Sequence, residues 1–110
     1  MKSKEEKDKI IKETNALLTE LYDSVSNAAA KDAVQRAYNR INRQLKISTS
    51  YKEIPESIDI LKKDFSRLSL SKKTRFTRSQ EEIVYKLTQL SRKSFQRGFD
   101  GLAYASIWFS

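Results

Sequence analysis

Apolar side chains recur at steps of three and four residues in four separate stretches of this chain of 110 residues, and this spacing constrains the fold most. Residues spaced in this way lie on one face of an α-helix. One proline and two glycines are too few for the many turns of an all-β fold. Four amphipathic helices with short links can bury their apolar faces only against one another. We therefore predict an all-α fold: an antiparallel up-down four-helix bundle with a C-terminal tail, in one domain over residues 1–110.

The first two predicted helices cover about residues 4–27 and 30–47. The apolar face of the first helix is predicted to carry Ile10, Thr14, Leu17, Leu18, Leu21 and Val25. The apolar face of the second is predicted to carry Val34, Ala37, Tyr38, Ile41 and Leu45. Between them lies "SNAAAKD", in which Ser26, Asn27 and Asp32 are the residues suited to cap a helix.

The segment "ISTSYKEIPES" is predicted to connect the second helix to the third. Its serines and threonine favour local side-chain hydrogen bonds over a helix interior. Pro55 suits a first helical turn, where its missing N–H costs nothing. The third helix is therefore predicted over about residues 55–70. Its narrow apolar seam is Ile54, Ile58, Leu61, Phe65 and Leu68.

The fourth helix is predicted to begin after a capping box formed by Thr77 and Gln80. Glu81 and Glu82 follow, where negative charge suits the start of a helix, and basic residues lie toward its other end. Its buried edge is predicted to be Ile83, Leu87 and Leu90. Gly98 is predicted to end the helix, which leaves a tail over about residues 98–110.

The side chains most used in catalysis are missing, since the chain has no cysteine and no histidine. Carboxylates pair only as neighbours on charged helix faces, for example Glu5 with Glu6. A general acid or base needs a carboxylate in a pocket with a shifted pKa. No glycine-rich phosphate loop is present. We therefore expect no enzyme activity, no catalytic residue, no cofactor and no metal site.

The net charge of +8 favours an anionic partner. Two groups of cations form a candidate basic face: Arg36, Arg40 and Arg43 in the second helix, and Lys72, Lys73, Arg75 and Arg78 before and at the start of the fourth. Either these residues form a solvated face, or they attract phosphates or the inner leaflet of a membrane. The N-terminus "MKSKEEKDKIIKE" lacks the apolar core of a signal peptide, so we expect a cytoplasmic protein with peripheral membrane contact as an option.

The C-terminal segment "QRGFDGLAYASIWFS" holds five of the eleven aromatic residues once Phe95 is included. One interpretation is that part of it covers an open end of the core. The other is a recognition surface, since aromatic residues are enriched in interface hot spots. With the end of the fourth helix, the predicted partner-binding residues are Phe95, Phe99, Leu102, Tyr104, Ile107, Trp108 and Phe109.

Residues 72–92, "KKTRFTRSQEEIVYKLTQLSR", resemble a segment of the immunity proteins of pediocin-like (class IIa) bacteriocins, especially the enterocin A immunity group. That family has a similar lysine-x-arginine-phenylalanine-threonine turn and a glutamine-glutamate-glutamate helix start. The matching residues are Lys73, Arg75, Phe76, Thr77, Gln80, Glu81, Glu82 and Leu87. Of these, Thr77 and Gln80 are expected to cap the helix, and Phe76 to pack where it starts.

The resemblance implies a cytosolic antiparallel four-helix bundle that protects a bacterium from its own pore-forming peptide. The peptide's receptor is the membrane part of the mannose phosphotransferase permease. The immunity protein is thought to engage the receptor–peptide complex from inside the cell, and the C-terminal half decides which bacteriocin is countered. No small-molecule substrate is implied.

Two other interpretations stay open at the level of the sequence. One is a small basic helical nucleic-acid-binding protein, although the "SNAAAKD" bend lacks the glycine that a compact helix-turn-helix uses. The other is an adaptor bundle that dimerises through its tail.

Overall fold

Four α-helices make up the part of the chain that the computed structural model describes, residues 3–72 and 74–95. They are α1 (Lys4–Ser24), α2 (Ala28–Asn42), α3 (Ile47–Leu70) and α4 (Arg78–Phe95), and the described residues contain no strand. Short links of three to seven residues reverse the chain between successive helices. The predicted antiparallel up-down four-helix bundle is confirmed.

The helices α1 and α3 form the centre of the bundle, because they contact each other and both remaining helices. Within the described residues, α2 and α4 do not contact, so they lie on opposite sides of the α1–α3 pair. One hydrophobic core joins all four helices. Its most completely buried large side chains include Leu18, Leu21, Ile41, Ile54, Leu61 and Leu87. The links and the helix termini therefore lie at the two ends of the bundle.

Short-range side-chain caps start both α1 and α2. Ser3 and Glu6 form a capping box at the start of α1, with hydrogen bonds of 2.9 and 3.1 Å. Val25, which directly follows the end of α1 at Ser24, is buried in the core, as predicted. The Asn27 side chain then accepts a hydrogen bond from the Ala30 N–H at 3.0 Å and starts α2. Of the three residues suited to cap a helix in "SNAAAKD", Asn27 is the one that caps α2.

The predicted connector before Pro55 is wrong, because this segment is the first part of α3. Ser50, Tyr51 and Ile54 are buried on the face that Ile58 and Leu61 continue. Burying that face outweighs the weak helix preference of serine and threonine. Pro55 therefore lies inside the helix, where it cannot donate the usual hydrogen bond to the carbonyl four residues earlier.

The predicted burial of Leu45 is also wrong, since this side chain is 99% exposed. The helix α2 ends at Asn42, and the Arg43 N–H and the Gln44 side chain bond its last carbonyls, at 2.9 and 3.2 Å. Leu45 therefore lies past the helix end, where the spacing that would bury it no longer applies. The link between α2 and α3 is short, residues 43–46, and it places Leu45 at the tip of the bundle.

Candidate functional site

The start of α4 is built by the residues that carry the sequence resemblance. The Thr77 hydroxyl accepts a hydrogen bond from the Gln80 backbone N–H at 3.1 Å, and the Gln80 side-chain oxygen Oε1 accepts one from the Thr77 backbone N–H at 2.8 Å. The predicted capping box is therefore present. In addition, the Gln80 amide donates a hydrogen bond of 2.7 Å to the carbonyl oxygen of Ser24, which ties the start of α4 to the end of α1.

Phe76 packs beside this capping box, as predicted. Its ring stacks on that of Phe65 in α3, with centroids 4.4 Å apart and planes 3° from parallel. Phe65 is buried and Phe76 half-buried. The link between α3 and α4 is thus fixed by an aromatic pair on one side and by the Gln80 hydrogen bonds on the other.

A groove of about 400 Å³ lies between the end of α3 and the start of α4. Phe65, Phe76 and Val84 form its apolar floor, and Leu70, which is 83% exposed, lies at its edge. Lys62 and Glu81 add one charge of each sign. The sequence pattern did not identify this groove, because its two sides come from helices separated by a loop whose path the pattern does not fix.

The three arginines predicted as a basic face on α2 differ in their surroundings. Arg36 pairs with Asp64 of α3 at 3.4 Å, and Arg67 reaches the same carboxylate at 3.3 Å. The Asp64 side chain is only 15% exposed, so one mostly buried carboxylate offsets part of the charge of two arginines. Sequence reasoning missed Asp64 because its partner Arg36 lies on another helix.

Arg40 is half-buried, and its Nη1 atom has no hydrogen-bond partner among the described residues. Arg43 is exposed and forms the C-cap of α2. Of the three predicted α2 cations, Arg43 is therefore the one that is exposed and forms no ion pair among the described residues.

The second predicted group of cations surrounds the α3–α4 link. Lys72, Arg75 and Arg78 are exposed, and Lys73 lies outside the described residues. Lys72 has a φ of 62°, in the left-handed region, and its N–H bonds the Ser69 carbonyl at 3.0 Å. These cations therefore lie at the same end of the bundle as the apolar groove.

The predicted tail, about residues 98–110, lies wholly outside the described residues. Phe95 is the last described residue, at the end of α4. The other predicted contact residues fall outside the described residues: Phe99, Leu102, Tyr104, Ile107, Trp108 and Phe109.

A metal site needs several ligand side chains close together. Over residues 3–72 and 74–95, no group of three or more acidic residues is close enough to hold a metal ion, and the chain has no histidine or cysteine to add to them. None of the helices in this part of the chain is both long enough and apolar enough to cross a membrane.

Comparison with known proteins gives no relative. No protein-family model, curated protein or solved structure matches this chain.

Proposed function

We propose that this chain is an immunity protein that protects a bacterium from a pore-forming, pediocin-like bacteriocin. In this proposal it acts from the cytosol on the complex of the peptide with its receptor, the mannose phosphotransferase permease. The proposed activity has no catalytic step and consists of binding to the receptor–peptide complex.

The observation that carries the proposal is the role of the resembling segment in the fold. Phe76, Thr77 and Gln80 are three of the residues that this chain shares with the family pattern. They form the α3–α4 junction: Phe76 stacks on Phe65, and Gln80 bonds both Thr77 and Ser24. A short motif whose residues form a structural junction of a four-helix bundle supports a family relationship better than the same residues would on a solvent-exposed helix face.

The proposed recognition surface is the aromatic C-terminal segment with the end of α4. Burial of one large aromatic side chain contributes about 1.5–3 kcal/mol, so two or three such residues would be enough to set which peptide is countered. Trp108 and Phe109 are the strongest candidates, since tryptophan is the residue type most enriched in hot spots and Phe109 adds a large ring beside it.

Exposed cations would hold the protein close to the anionic inner leaflet, where the receptor lies. Each well-placed lysine or arginine contributes about 1 kcal/mol to such binding. Of the predicted cations, Arg43 is exposed at the α2–α3 turn and suits this role, whereas the exposed Lys72, Arg75 and Arg78 lie at the opposite end of the bundle and would face away from a leaflet that Arg43 contacts. Arg36 and Arg40 suit it less, because Arg36 is paired with Asp64 and Arg40 is half-buried.

The test is expression of the chain in a bacteriocin-sensitive strain that is challenged with a panel of pediocin-like peptides. Protection against one or a few peptides is expected, together with co-isolation of the permease only when the peptide is present. Sensitivity to every peptide of the panel, with the protein expressed and folded, would show that the proposal is wrong. Salt-sensitive binding to duplex DNA at physiological ionic strength would point instead to a nucleic-acid-binding protein.

A variant that lacks residues 99–110 tests the recognition surface separately. It should keep the helical circular dichroism spectrum of the bundle and lose protection. A matched full-length variant, Trp108→Ala with Phe109→Ala, should behave in the same way. Full protection by both variants would exclude the C-terminal segment as the recognition element while leaving the immunity function itself intact. Sedimentation of the full chain and of Trp108→Ala would reveal a dimer formed through the tail.

A further inference from the structure

An exposed leucine lies among lysines at the end of the bundle where α1 begins and α2 turns into α3. Leu45, at the tip of this turn, is 99% exposed. It lines one open concavity of about 520 Å³ together with Lys4, Lys7, Lys46, Ile47 and Ser48. We call these six residues the α2–α3 corner.

Two lysines of the α2–α3 corner, Lys4 and Lys46, are exposed and available to an external anion, whereas Lys7 is half-buried with its Nζ 5.6 Å from the centroid of the Tyr51 ring. Among the described residues, no ion pair involves Lys4, Lys7 or Lys46. The nearest acid along α1 on this side, Asp8, is paired with Lys12 at 3.0 Å. Glu5 and Glu6 point about 100° or more around the helix axis from both Lys4 and Lys7, since each residue of an α-helix turns by about 100°. The corner therefore presents positive charge.

Further cations lie at the same end of the bundle. Arg43 precedes Leu45 and is exposed. The helix α4 runs antiparallel to α1, so its last turn reaches this end, and it carries exposed Lys93. In the sequence, α4 is followed by residues 96–110, which include four aromatic residues. The positive charge alone would suit a soluble acidic partner. Such a partner does not explain why the leucine at the tip is fully exposed.

We propose that the α2–α3 corner docks on a membrane surface of anionic lipid, with Leu45 inserted at the boundary between headgroups and acyl chains. An apolar residue at the tip, ringed by lysines on flexible stems, has the chemistry of an interfacial anchor: the leucine enters the apolar layer and the ammonium groups stay at headgroup level. The bundle then stands with its long axis toward the membrane, rather than lying on the cations of α2 and of the α3–α4 link.

This orientation rests on the proposed function for its biological setting, because it would bring the end of α4 to the leaflet that contains the receptor. The lipid contact itself is measured without permease or bacteriocin. Failure of lipid binding at this corner leaves protection in the sensitive strain untouched, so the two proposals fail separately.

The first experiment measures partition of the full-length protein onto vesicles of equimolar phosphatidylglycerol and phosphatidylcholine. The variant Lys4→Glu with Lys46→Glu should bind at least about 25-fold more weakly, at about fivefold for each cation lost. Leu45→Ser should bind about tenfold more weakly, because it removes the inserted side chain. Both lysines lie at helix starts, where glutamate suits the helix dipole, so the charge variant is expected to fold.

The matched control is Arg75→Glu with Arg78→Glu, which changes the net charge equally at the opposite end of the bundle. Arg78 is likewise the first residue of a helix. Since this end lies beyond a Debye length from the docked surface, the control should weaken binding by less than about threefold. A larger loss for the control pair than for the corner pair would overturn the proposal.

The second experiment uses the absence of cysteine, which allows a single spin label at Leu45→Cys or at Leu70→Cys. Both leucines are exposed and lie at opposite ends of the bundle. On addition of vesicles, the label at position 45 should become accessible to oxygen dissolved in lipid and shielded from an aqueous relaxation agent, whereas the label at 70 should stay in water. If the protein binds and both labels stay in water, or if position 45 is shielded at high protein concentration without vesicles, the corner is not a lipid anchor.

Discussion

The side-chain amide of Gln80 donates a hydrogen bond of 2.7 Å to the carbonyl oxygen of Ser24, across 56 residues of sequence. Ser24 is the last residue of α1, and Gln80 lies in the first turn of α4. The same Gln80 side chain also accepts from the Thr77 N–H. One mostly buried side chain therefore both starts a helix and holds that helix to its neighbour.

We predict that Gln80→Ala lowers the free energy of unfolding by about 2 kcal/mol. It removes half of the capping box and leaves the Ser24 carbonyl without this donor, and each loss costs about 1 kcal/mol. Urea denaturation monitored by circular dichroism would measure it. Thr77→Ala is the matched control, since it removes only the cap and should cost about 1 kcal/mol. Equal losses for the two variants would show that the link to Ser24 contributes nothing.

The stack of Phe76 on Phe65 gives a second prediction. Phe76→Ala should lower the free energy of unfolding by about 2–3 kcal/mol, because it uncovers the buried face of Phe65 and removes the ring contact. Phe76→Leu keeps most of the apolar volume and loses only the stacking geometry, so about 1 kcal/mol is expected. Thermal and urea unfolding of both variants would measure the difference. A Phe76→Ala variant as stable as the parent chain would mean that the α3–α4 link does not depend on this pair.

The apolar spacing was enough to predict the fold class and most of the core. Leu18, Leu21 and Leu61 lie where their steps of three and four place them. The capping boxes at helix starts are local patterns of four residues, so the one formed by Thr77 and Gln80 was predictable. These features depend only on neighbours along the chain.

The features that sequence reasoning missed depend on contacts between helices or on competing local preferences. The predicted start of α3 is too late, because serine, threonine and Pro55 weaken a helix locally, whereas burial of Tyr51 and Ile54 in the bundle favours it. The predicted burial of Leu45 is wrong because α2 ends at Asn42, earlier than the predicted end near residue 47. The Asp64 pair with Arg36 and the Gln80 bond to Ser24 each join different helices, and no spacing rule contains them.

Pro55 inside α3 gives a third prediction. Pro55→Ala should raise the free energy of unfolding by about 1–2 kcal/mol. Proline inside a helix costs about 3 kcal/mol, but its stiffness also restricts the unfolded chain and returns up to about 1 kcal/mol. Glu56→Ala, at the exposed neighbouring position, should change stability by less than about 0.5 kcal/mol. If chemical denaturation finds Pro55→Ala less stable than the parent, the bundle uses a local shape that only proline provides.

Lys72 adopts a conformation that suits glycine better than lysine. Its φ of 62° directly follows Ser71, the C-cap of α3, at the position where many helices end with a left-handed glycine. The left-handed conformation costs a residue with a Cβ atom about 1–2 kcal/mol. Glycine avoids this cost, and its greater freedom in the unfolded chain destabilises the fold by a smaller amount. We therefore predict that Lys72→Gly raises the free energy of unfolding by about 0.5–1 kcal/mol, measured by urea denaturation.

Lys72→Ala separates the backbone effect from the effect of charge, since it removes the cation and keeps the Cβ atom. It should leave stability within about 0.5 kcal/mol of the parent. A gain in both variants would assign the effect to relief of repulsion among Lys72, Arg75 and Arg78, and not to the backbone. Because Lys72 lies at the end of the bundle opposite the α2–α3 corner, Lys72→Gly should also partition onto anionic vesicles almost as strongly as the parent protein. The stability of Lys72→Gly thus tests the cost of the left-handed residue at the end of α3. Its lipid binding tests the proposed orientation of the bundle on the membrane.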